Sequence, residues 1–186
     1  VIIFNKTDLW LDDDPEDEED FRDRLSPYPP IGVPVHYTAA TEDRGLDSVR
    51  EAMKGRLGIF VGHSGVGKTS LALAVAAEAS ELFGRDIAFV PLAAITDATL
   101  IAAEVATAVG VRTTGQESLD AVVYRALHER RMLLVLDNLE HLPAAALWIA
   151  DLLAASPALT ILATSRAPLR IRGERELPLG PLALPD

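Results

Sequence analysis

The stretch Gly62-His63-Ser64-Gly65-Val66-Gly67-Lys68-Thr69-Ser70 carries the spacing G-x-x-x-x-G-K-[ST] of a phosphate-binding loop. Gly62, Gly65 and Gly67 permit a tight turn and let a phosphate approach bare backbone. Successive N–H groups then point into one concavity at a helix N-terminus, where the helix dipole favours an anion. The expected phosphate contacts are Gly62, Ser64, Gly65, Val66, Gly67, Lys68, Thr69 and Ser70. Lys68 brings a mobile positive charge to the β- and γ-phosphates of a nucleotide, and the Thr69 hydroxyl can ligate Mg2+. A glycine-rich loop can match this pattern by chance, so the flanking elements matter. An apolar run, Leu57 to Val61, precedes the loop and an Ala/Leu-rich run from Leu71 follows it, giving strand, turn and helix.

Two further strand ends carry chemistry. Met132 to Leu136 is apolar throughout and ends on Asp137, the Walker B arrangement, in which the carboxylate holds Mg2+ directly or through water. A buried strand can also end in Asp merely to cap a helix. Thr160 to Ala163 ends on Thr164-Ser165-Arg166, and a guanidinium at Arg166 matches the geometry of a γ-phosphate, although a surface arginine would look the same. Lys68 and Arg166 are thus the catalytic candidates, and Thr69 and Asp137 the metal candidates. Asn138 stands where a second acid often polarises the attacking water, with Glu140 further on, so binding is better supported than hydrolysis.

Asn5-Lys6-Thr7-Asp8 follows the apolar run Val1 to Phe4. Beside a phosphate loop, N-K-x-D at a strand end selects guanine. The Asp8 carboxylate would accept from the ring N1–H and the exocyclic amine, a pattern adenine cannot satisfy, while Asn5 and Lys6 brace base and loop. Thr38-Ala39-Ala40, after the next strand, can offer a backbone N–H to guanine O6. Such a site discriminates because the wrong base leaves buried groups unpaired.

The elements that must position these residues alternate. Strands are expected at Val1–Phe4, Val33–Tyr37, Leu57–Val61, Ile87–Val90, Met132–Leu136 and Thr160–Ala163, with a short candidate at Glu176–Leu179. Helices are expected from Leu46 to Arg56 with Leu46, Val49 and Met53 inward, Leu71 to Phe83, Ala98 to Val109, Ser118 to Arg130 and Ala144 to Ala155. Pro27, Pro29 and Pro30 exclude helix from the connector Ser26 to Pro34. The acidic run Asp12 to Asp20 can start a helix at Asp14-Pro15, with Phe21 and Leu25 on one face; it reads as a solvated face, with a metal or partner site as the alternative. Strands alternating with helices imply an α/β fold, a three-layer P-loop NTPase with a mostly parallel twisted sheet and helices on both faces.

Composition sets outer bounds. The 186 residues fit one domain, 49% of them apolar, enough for a two-sided core. A formal charge of −11 argues against a broad nucleic-acid or anionic-membrane surface. No cysteine is present, so disulfides and thiolate metal sites are excluded, and no apolar run is long enough to span a bilayer. The expected setting is cytoplasmic, and Val1 in place of an initiator Met implies a fragment or a trimmed chain.

Two resemblances cover different halves. Val1 to about Leu71 resembles the circularly permuted GTPases of ribosome assembly, in which N-K-x-D and S-A-type loops precede the phosphate loop, as Asn5–Asp8 and Thr38–Ala40 precede Gly62–Thr69 here. From the loop onward the chain resembles the nucleotide-binding domain of STAND signalling ATPases of bacterial transcription regulators. The runs Leu133-Leu134-Val135-Leu136-Asp137-Asn138-Leu139-Glu140-His141 and Leu162-Ala163-Thr164-Ser165-Arg166-Ala167-Pro168-Leu169-Arg170 carry that likeness. The D-x-x-G switch, the switch-I Thr, the RNA-binding barrel and the zinc module of the first family are missing. So are the lead-in and the helical closing domains of the second. A join at the shared loop accounts for this, and the chain reads as a recombined, engineered chimera of two P-loop lineages. Within a single domain, 1–61 is the base-recognition segment, 62–70 the loop and seam, and 71–186 the Walker B and sensor segment.

The implied strand order is Ile87–Val90, Met132–Leu136, Leu57–Val61, Thr160–Ala163, Val1–Phe4, Val33–Tyr37, with Val1–Phe4 preferred over Glu176–Leu179 for a central slot because it is wholly apolar. The implied function is GTP binding with Mg2+ and slow hydrolysis at most. ATP binding, or a non-catalytic scaffold, are the alternatives. Surfaces that once met other domains make self-association an expectation too.

Overall fold

The computed structural model describes residues 2–10, 19, 22–23, 26–27, 29–32, 34–52, 55–112 and 117–180. Most of the acidic run, and the expectations that rest on Val1, Pro15, Phe21, Leu25, Val33 and Met53, lie outside these residues. In chain order the elements are β1 (Ile2–Phe4), β2 (Val35–Tyr37), α1 (Leu46–Ala52), β3 (Leu57–Val61), α2 (Lys68–Glu78), α3 (Ser80–Phe83) and β4 (Ile87–Pro91). Then come α4 (Ile101–Ala108), α5 (Leu119–Leu127), β5 (Leu133–Asp137), α6 (Ala145–Ala155), β6 (Thr160–Ser165) and β7 (Glu174–Pro178). Single 3-10 turns occupy Thr7–Trp10, Pro29–Ile31 and Ala98–Leu100.

Period-two alternation along apolar strands decides the layering. Leu57 and Ile59 of β3, Leu134 and Leu136 of β5, and Ile161 and Ala163 of β6 enter one core, closed by Ile101 and Val105 of α4, Val123 and Leu127 of α5, and Ile149 and Leu152 of α6. Phe60, Leu133, Val135 and Leu162 enter the other, closed by Leu46 and Val49 of α1 and by Leu71, Ala72 and Val75 of α2. Every strand in these two sets is parallel to its neighbours, as a sheet covered on both faces by crossover helices should be. The result is the three-layer α/β architecture. Among the described residues no helix is long and apolar enough to cross a membrane.

The helices start where local chemistry allows. The Ser118 hydroxyl accepts from the Ala121 N–H at 3.3 Å and caps α5, and the Asp97 carboxylate accepts from the Thr99 N–H at 2.9 Å to open the turn before α4. The run expected as one helix from Leu71 to Phe83 is two, α2 beginning already at Lys68 and α3 ending at Gly84, whose φ is 61°. The prolines of the connector exclude α-helix, yet Pro29–Ile31 makes one 3-10 turn.

The strand order departs from expectation. The main sheet runs β4-β5-β6-β3-β7, with β1 and β2 as a separate parallel pair. Thr160–Ser165 therefore lies between β5 and β3, opposite Leu133 on one side and Leu57 on the other, and not beyond the phosphate-loop strand. Its Ile161, Leu162 and Ala163 are all fully buried, which suits a strand with neighbours on both edges. The slot on the far side of β3 is taken by Glu174–Pro178, not by Val1–Phe4, so the preference drawn from apolarity was misplaced. β1 meets this strand through a parallel bridge between Ile3 and Leu179. The Leu179 N–H donates to Val61 O at 2.7 Å and the Gly180 N–H to Ile3 O at 3.1 Å. By alternation the imino nitrogen of Pro178 faces the β1 side, where the ladder asks nothing of it. The apolar character of β1 is satisfied from above: Ile3 packs in the α1–α2 core, and the Phe4 ring stacks on Tyr37 with centroids 6.3 Å apart.

A buried side chain at the centre of β5 should carry much of this core. Leu134→Ala is expected to lower unfolding free energy by about 2–5 kcal/mol, read as a drop in urea midpoint with an unchanged m-value.

Candidate nucleotide-binding site

A cleft of about 320 Å³ opens at the C-terminal ends of β3, β5 and β6. Ser64, Gly65, Gly67, Lys68, Thr69 and Ser70 line one side, Asn138, Glu140 and Thr164 another, and Lys6 reaches in from the first loop. This is where ligands of open parallel sheets sit. The α2 N-terminus has Gly67 at its cap with φ 87° and no side chain accepting from its first turn, so those N–H groups remain available to an anion. Val66 is buried in the α1–α2 core and pins the loop to the domain. Gly65, at φ 86°, and Gly67 need glycine for their backbone conformation. Gly62 needs it for a reason the motif does not announce: a Cβ there would lie 2.5 Å from the carbonyl oxygen of Leu179, just past β7.

Lys68 Nζ donates to the carbonyl oxygens of Gly62 and His63, both at 2.7 Å. Burial pushes its ammonium below the ordinary lysine range; Glu140 opposes this, Arg166 adds to it and Asp137 opposes it. Asp137 Oδ1 accepts from the Thr69 hydroxyl at 2.8 Å and from the Thr164 hydroxyl at 2.6 Å. The structure thus brings together the two residues expected to hold a metal. Thr164, which fixes the carboxylate from the neighbouring strand, was not singled out. Its role becomes legible only once β6 is known to lie beside β5.

The residue after Asp137 turns away. Asn138 sits at φ 69° in the left-handed region that Asn tolerates; its N–H donates to Thr164 Oγ1 at 2.9 Å and its amide meets His141 Nδ1 at 3.2 Å. His141 Nε2 lies 2.7 Å from Ile95 O, which places the ring proton on Nε2 and leaves Nδ1 to accept from the amide. Glu140 Oε1 pairs with Arg166 Nε at 3.0 Å, while its Oε2 is buried without a hydrogen-bond partner. Arg166, expected as a phosphate sensor, is therefore engaged by a carboxylate that the motif reading left in the background.

Asn5, almost fully buried, joins the first loops to the phosphate loop. Its Nδ2 donates to Gly67 O at 3.3 Å, and its Oδ1 accepts from the Thr38 hydroxyl at 3.1 Å and the Ala40 N–H at 3.3 Å. A Cβ on Gly67 would come within 2.5 Å of that Nδ2. Lys6, at φ 70°, follows directly. Asp8 Oδ2 accepts from the Thr41 hydroxyl at 3.0 Å, and its Oδ1 is buried without a partner. The amides named as donors to O6 are all occupied: Thr38 N–H by Phe4 O at 2.7 Å, Ala39 N–H by Arg44 O at 3.0 Å, and Ala40 N–H by Asn5. Of the three, the Ala40 bond is the longest.

A larger groove of about 730 Å³ lies between the C-terminal ends of α5 and α6, the helices that lead into β5 and β6. Its Arg125 and Arg130 are paired with Glu117 and Asp86, and burial pushes the Tyr124 phenol up to about 12, helped by Asp120 and Asp151. Residues singled out by the sequence motifs line the smaller cleft and not this groove.

Comparison with known proteins finds two family matches along the chain. The model of the AAA domain matches residues 50–177, more than half of the chain, and that of the RsgA GTPase matches residues 1–85; they overlap on β3, the phosphate loop and α2. A Mycobacterium tuberculosis protein named as an HTH-type transcriptional regulator is 49% identical over 122 residues, 64% of this chain and 13% of its own length. The small ribosomal subunit biogenesis GTPase RsgA of Bacteroides fragilis is 44% identical over 71 residues, 38% of this chain and 22% of its own. The chain thus spans less than a quarter of either relative. Among solved structures, Cdc6p from Pyrobaculum aerophilum superposes with a TM-score of 0.56 at 14% identity, over 72% of this chain and 43% of that one, a likeness of fold. Together these place the chain in the AAA-domain family of P-loop NTPases, with a first part similar to the RsgA GTPases.

Proposed function

We propose that the chain binds GTP with Mg2+ and hydrolyses it slowly at most. The observation that carries the guanine reading is the pair of Asn5 and Asp8. Asn5 ties N-K-x-D and Thr38–Ala40 to the backbone of the phosphate loop, and Asp8 keeps one buried carboxylate oxygen without a partner. A guanine N1–H and exocyclic amine would supply what that carboxylate lacks. Recognition of O6 by Ala40 requires its 3.3 Å bond to Asn5 to be given up.

The phosphate end supports a triphosphate. Lys68 would exchange the carbonyl oxygens of Gly62 and His63 for β- and γ-phosphate oxygens, and the uncapped first turn of α2 would donate its N–H groups. Thr69 and Asp137 offer a hydroxyl and a carboxylate within 2.8 Å of each other, two hard oxygen donors of the kind Mg2+ takes when phosphates and water complete its shell. Bound there, the cation would neutralise phosphate charge. Asn138 in place of an acid, with its amide committed to His141, argues for slow turnover.

ATP is the second reading, favoured by the AAA-domain match over residues 50–177 and by the occupied amides of Thr38 and Ala39. The overlap of two family matches at the phosphate loop, with a GTPase-like pair of strands bridged to an AAA-like sheet, also supports a recombined origin with the seam at that loop, as would be found in an engineered chimera. A non-catalytic scaffold stays open under that origin, as does self-association through surfaces that met other domains in the parents.

A titration with GTP and with ATP, with and without Mg2+, decides the base. GTP is expected to bind at least about tenfold more tightly than ATP, and Asp8→Asn to remove that preference, since a hydrogen bond to a charged group is worth about 1.5–3 kcal/mol. Equal affinities unchanged by Asp8→Asn would sink the guanine reading. Thr69→Ala and Asp137→Asn are each expected to abolish the gain in triphosphate affinity on adding Mg2+, and EDTA to mimic them on the unaltered protein; isothermal calorimetry reads both.

A further inference from the structure

We propose that Glu140 is the catalytic carboxylate of this cleft, and that Arg166 holds it latched until a terminal phosphate draws the guanidinium away. The inference rests on the nucleotide-binding reading above and adds a residue and a control to it.

Position is the first argument. Glu140 lines the cleft with Lys68, Thr69 and Thr164, on the side facing the phosphate loop. Its backbone is held between two buried leucines: the Leu139 N–H donates to Thr164 O at 3.0 Å, and the Leu142 N–H donates to Leu139 O at 2.9 Å. The side chain is only 15% exposed, against 62% for its partner Arg166. In an exchange, the arginine is the part free to swing and the glutamate the part that stays.

Glu140 Oε1 is taken by Arg166, and Oε2 is buried without any partner. A buried, half-paired carboxylate costs stability, so its retention beside a phosphate loop suggests a ligand that completes it. A water positioned for attack is such a ligand. Asn138 cannot take this part, because a carboxamide has no useful basicity and its amide is committed to His141. The field agrees: Lys68 feels both Glu140 and Arg166, so the four charges of Lys68, Asp137, Glu140 and Arg166 act on one small volume.

The exchange follows from geometry. Arg166 holds Glu140 through Nε alone, and a γ-phosphate gripped side-on through Nε and an Nη together would take that nitrogen from the carboxylate. A diphosphate leaves the latch closed. A triphosphate offers a more highly charged, bidentate acceptor, and the guanidinium moves to it. Glu140 is then free to accept a proton from water while the water oxygen bonds to the γ-phosphorus. The bridging P–O bond breaks, its electron pair leaves with the nucleoside diphosphate, and inorganic phosphate departs. Glu140 afterwards returns its proton to solvent.

The test compares the full chain with Glu140→Gln, Arg166→Ala and the double variant, measuring affinity for GTP and GDP (and for ATP and ADP) in Mg2+ and phosphate release in a single turnover. Glu140→Gln removes the charge that holds Arg166 without changing shape, so the ratio of triphosphate to diphosphate affinity is expected to rise about two- to fivefold, the range of a partly exposed ion pair. Phosphate release should fall by about a hundredfold or more. Arg166→Ala should lower the same affinity ratio, and in its background Glu140→Gln should no longer move it. The latch is overturned if Glu140→Gln shifts triphosphate and diphosphate affinity equally, or shifts the ratio in the absence of Arg166. The catalytic role is overturned if release persists in Glu140→Gln, or if the unaltered protein binds triphosphate and releases no phosphate above buffer. Lys68→Ala separates the two levels: if the unaltered protein binds no better than Lys68→Ala, the nucleotide reading itself fails and the latch with it.

Discussion

The rest of the site depends on one buried carboxamide. Asn5 has two polar ends and spends both on residues more than thirty positions further along the chain, Thr38 and Ala40 with its oxygen and Gly67 with its nitrogen. Its surroundings are shaped to it. Gly67 has no Cβ because one would strike the amide, and Thr38 turns its hydroxyl inward to it. Replacing the side chain by one with a single polar end would leave a buried donor or acceptor unpaired, a cost on the scale of about 1–3 kcal/mol. More consequentially, the segment with the features of base selection would lose its fixed distance from the segment that grips phosphate.

The sheet supplies the rigid side of that joint. β6, inserted between β5 and β3, lets the Thr164 hydroxyl reach Asp137 from one side and the Thr69 hydroxyl reach it from the other. Three residues distant in sequence thereby meet on one carboxylate oxygen. Arg56 adds to this rigidity at the starting ends of β3 and β6, where its guanidinium donates to the carbonyl oxygens of Leu153, Ser156 and Leu159 around the end of α6. Its own carbonyl accepts from the Ile161 N–H at 2.8 Å, so β3 and β6 are keyed together from their first residues.

What could be read from the sequence was what is local. The phosphate loop, the Asp137 strand end and N-K-x-D each state their chemistry within nine residues, and the helices follow from apolar spacing. Strand order is not local. Val1–Phe4 is wholly apolar and Thr160–Ala163 nearly so, and nothing in either says which of them will find neighbours on both edges and which will be covered by α1. Glu176–Leu179, half polar and carrying a proline, reads as a short edge candidate, whereas the strand runs Glu174–Pro178 beside β3 and its proline points its missing donor where none is needed. Gly62 reads from the motif as a turn and phosphate-approach residue, and the crowding a Cβ would meet at Leu179 is a further requirement that only the fold shows. The Glu140–Arg166 pair was hidden because two residues on different strand ends become partners only after those strands are placed.

The bridge at Ile3 and Leu179 has a thermodynamic meaning of its own. β1 and β2 pair with each other over three residues and touch the main sheet's ladder through that bridge. Such a leaf opens at a lower free energy than the β5–β6 centre, as a cooperative unit whose loss leaves the larger core standing. Any molecule that grips both the leaf and the phosphate loop adds its binding free energy to the seam between them. Ligand affinity and closure of the leaf are then one equilibrium: a weak grip on the base would report an open leaf as readily as a poor pocket.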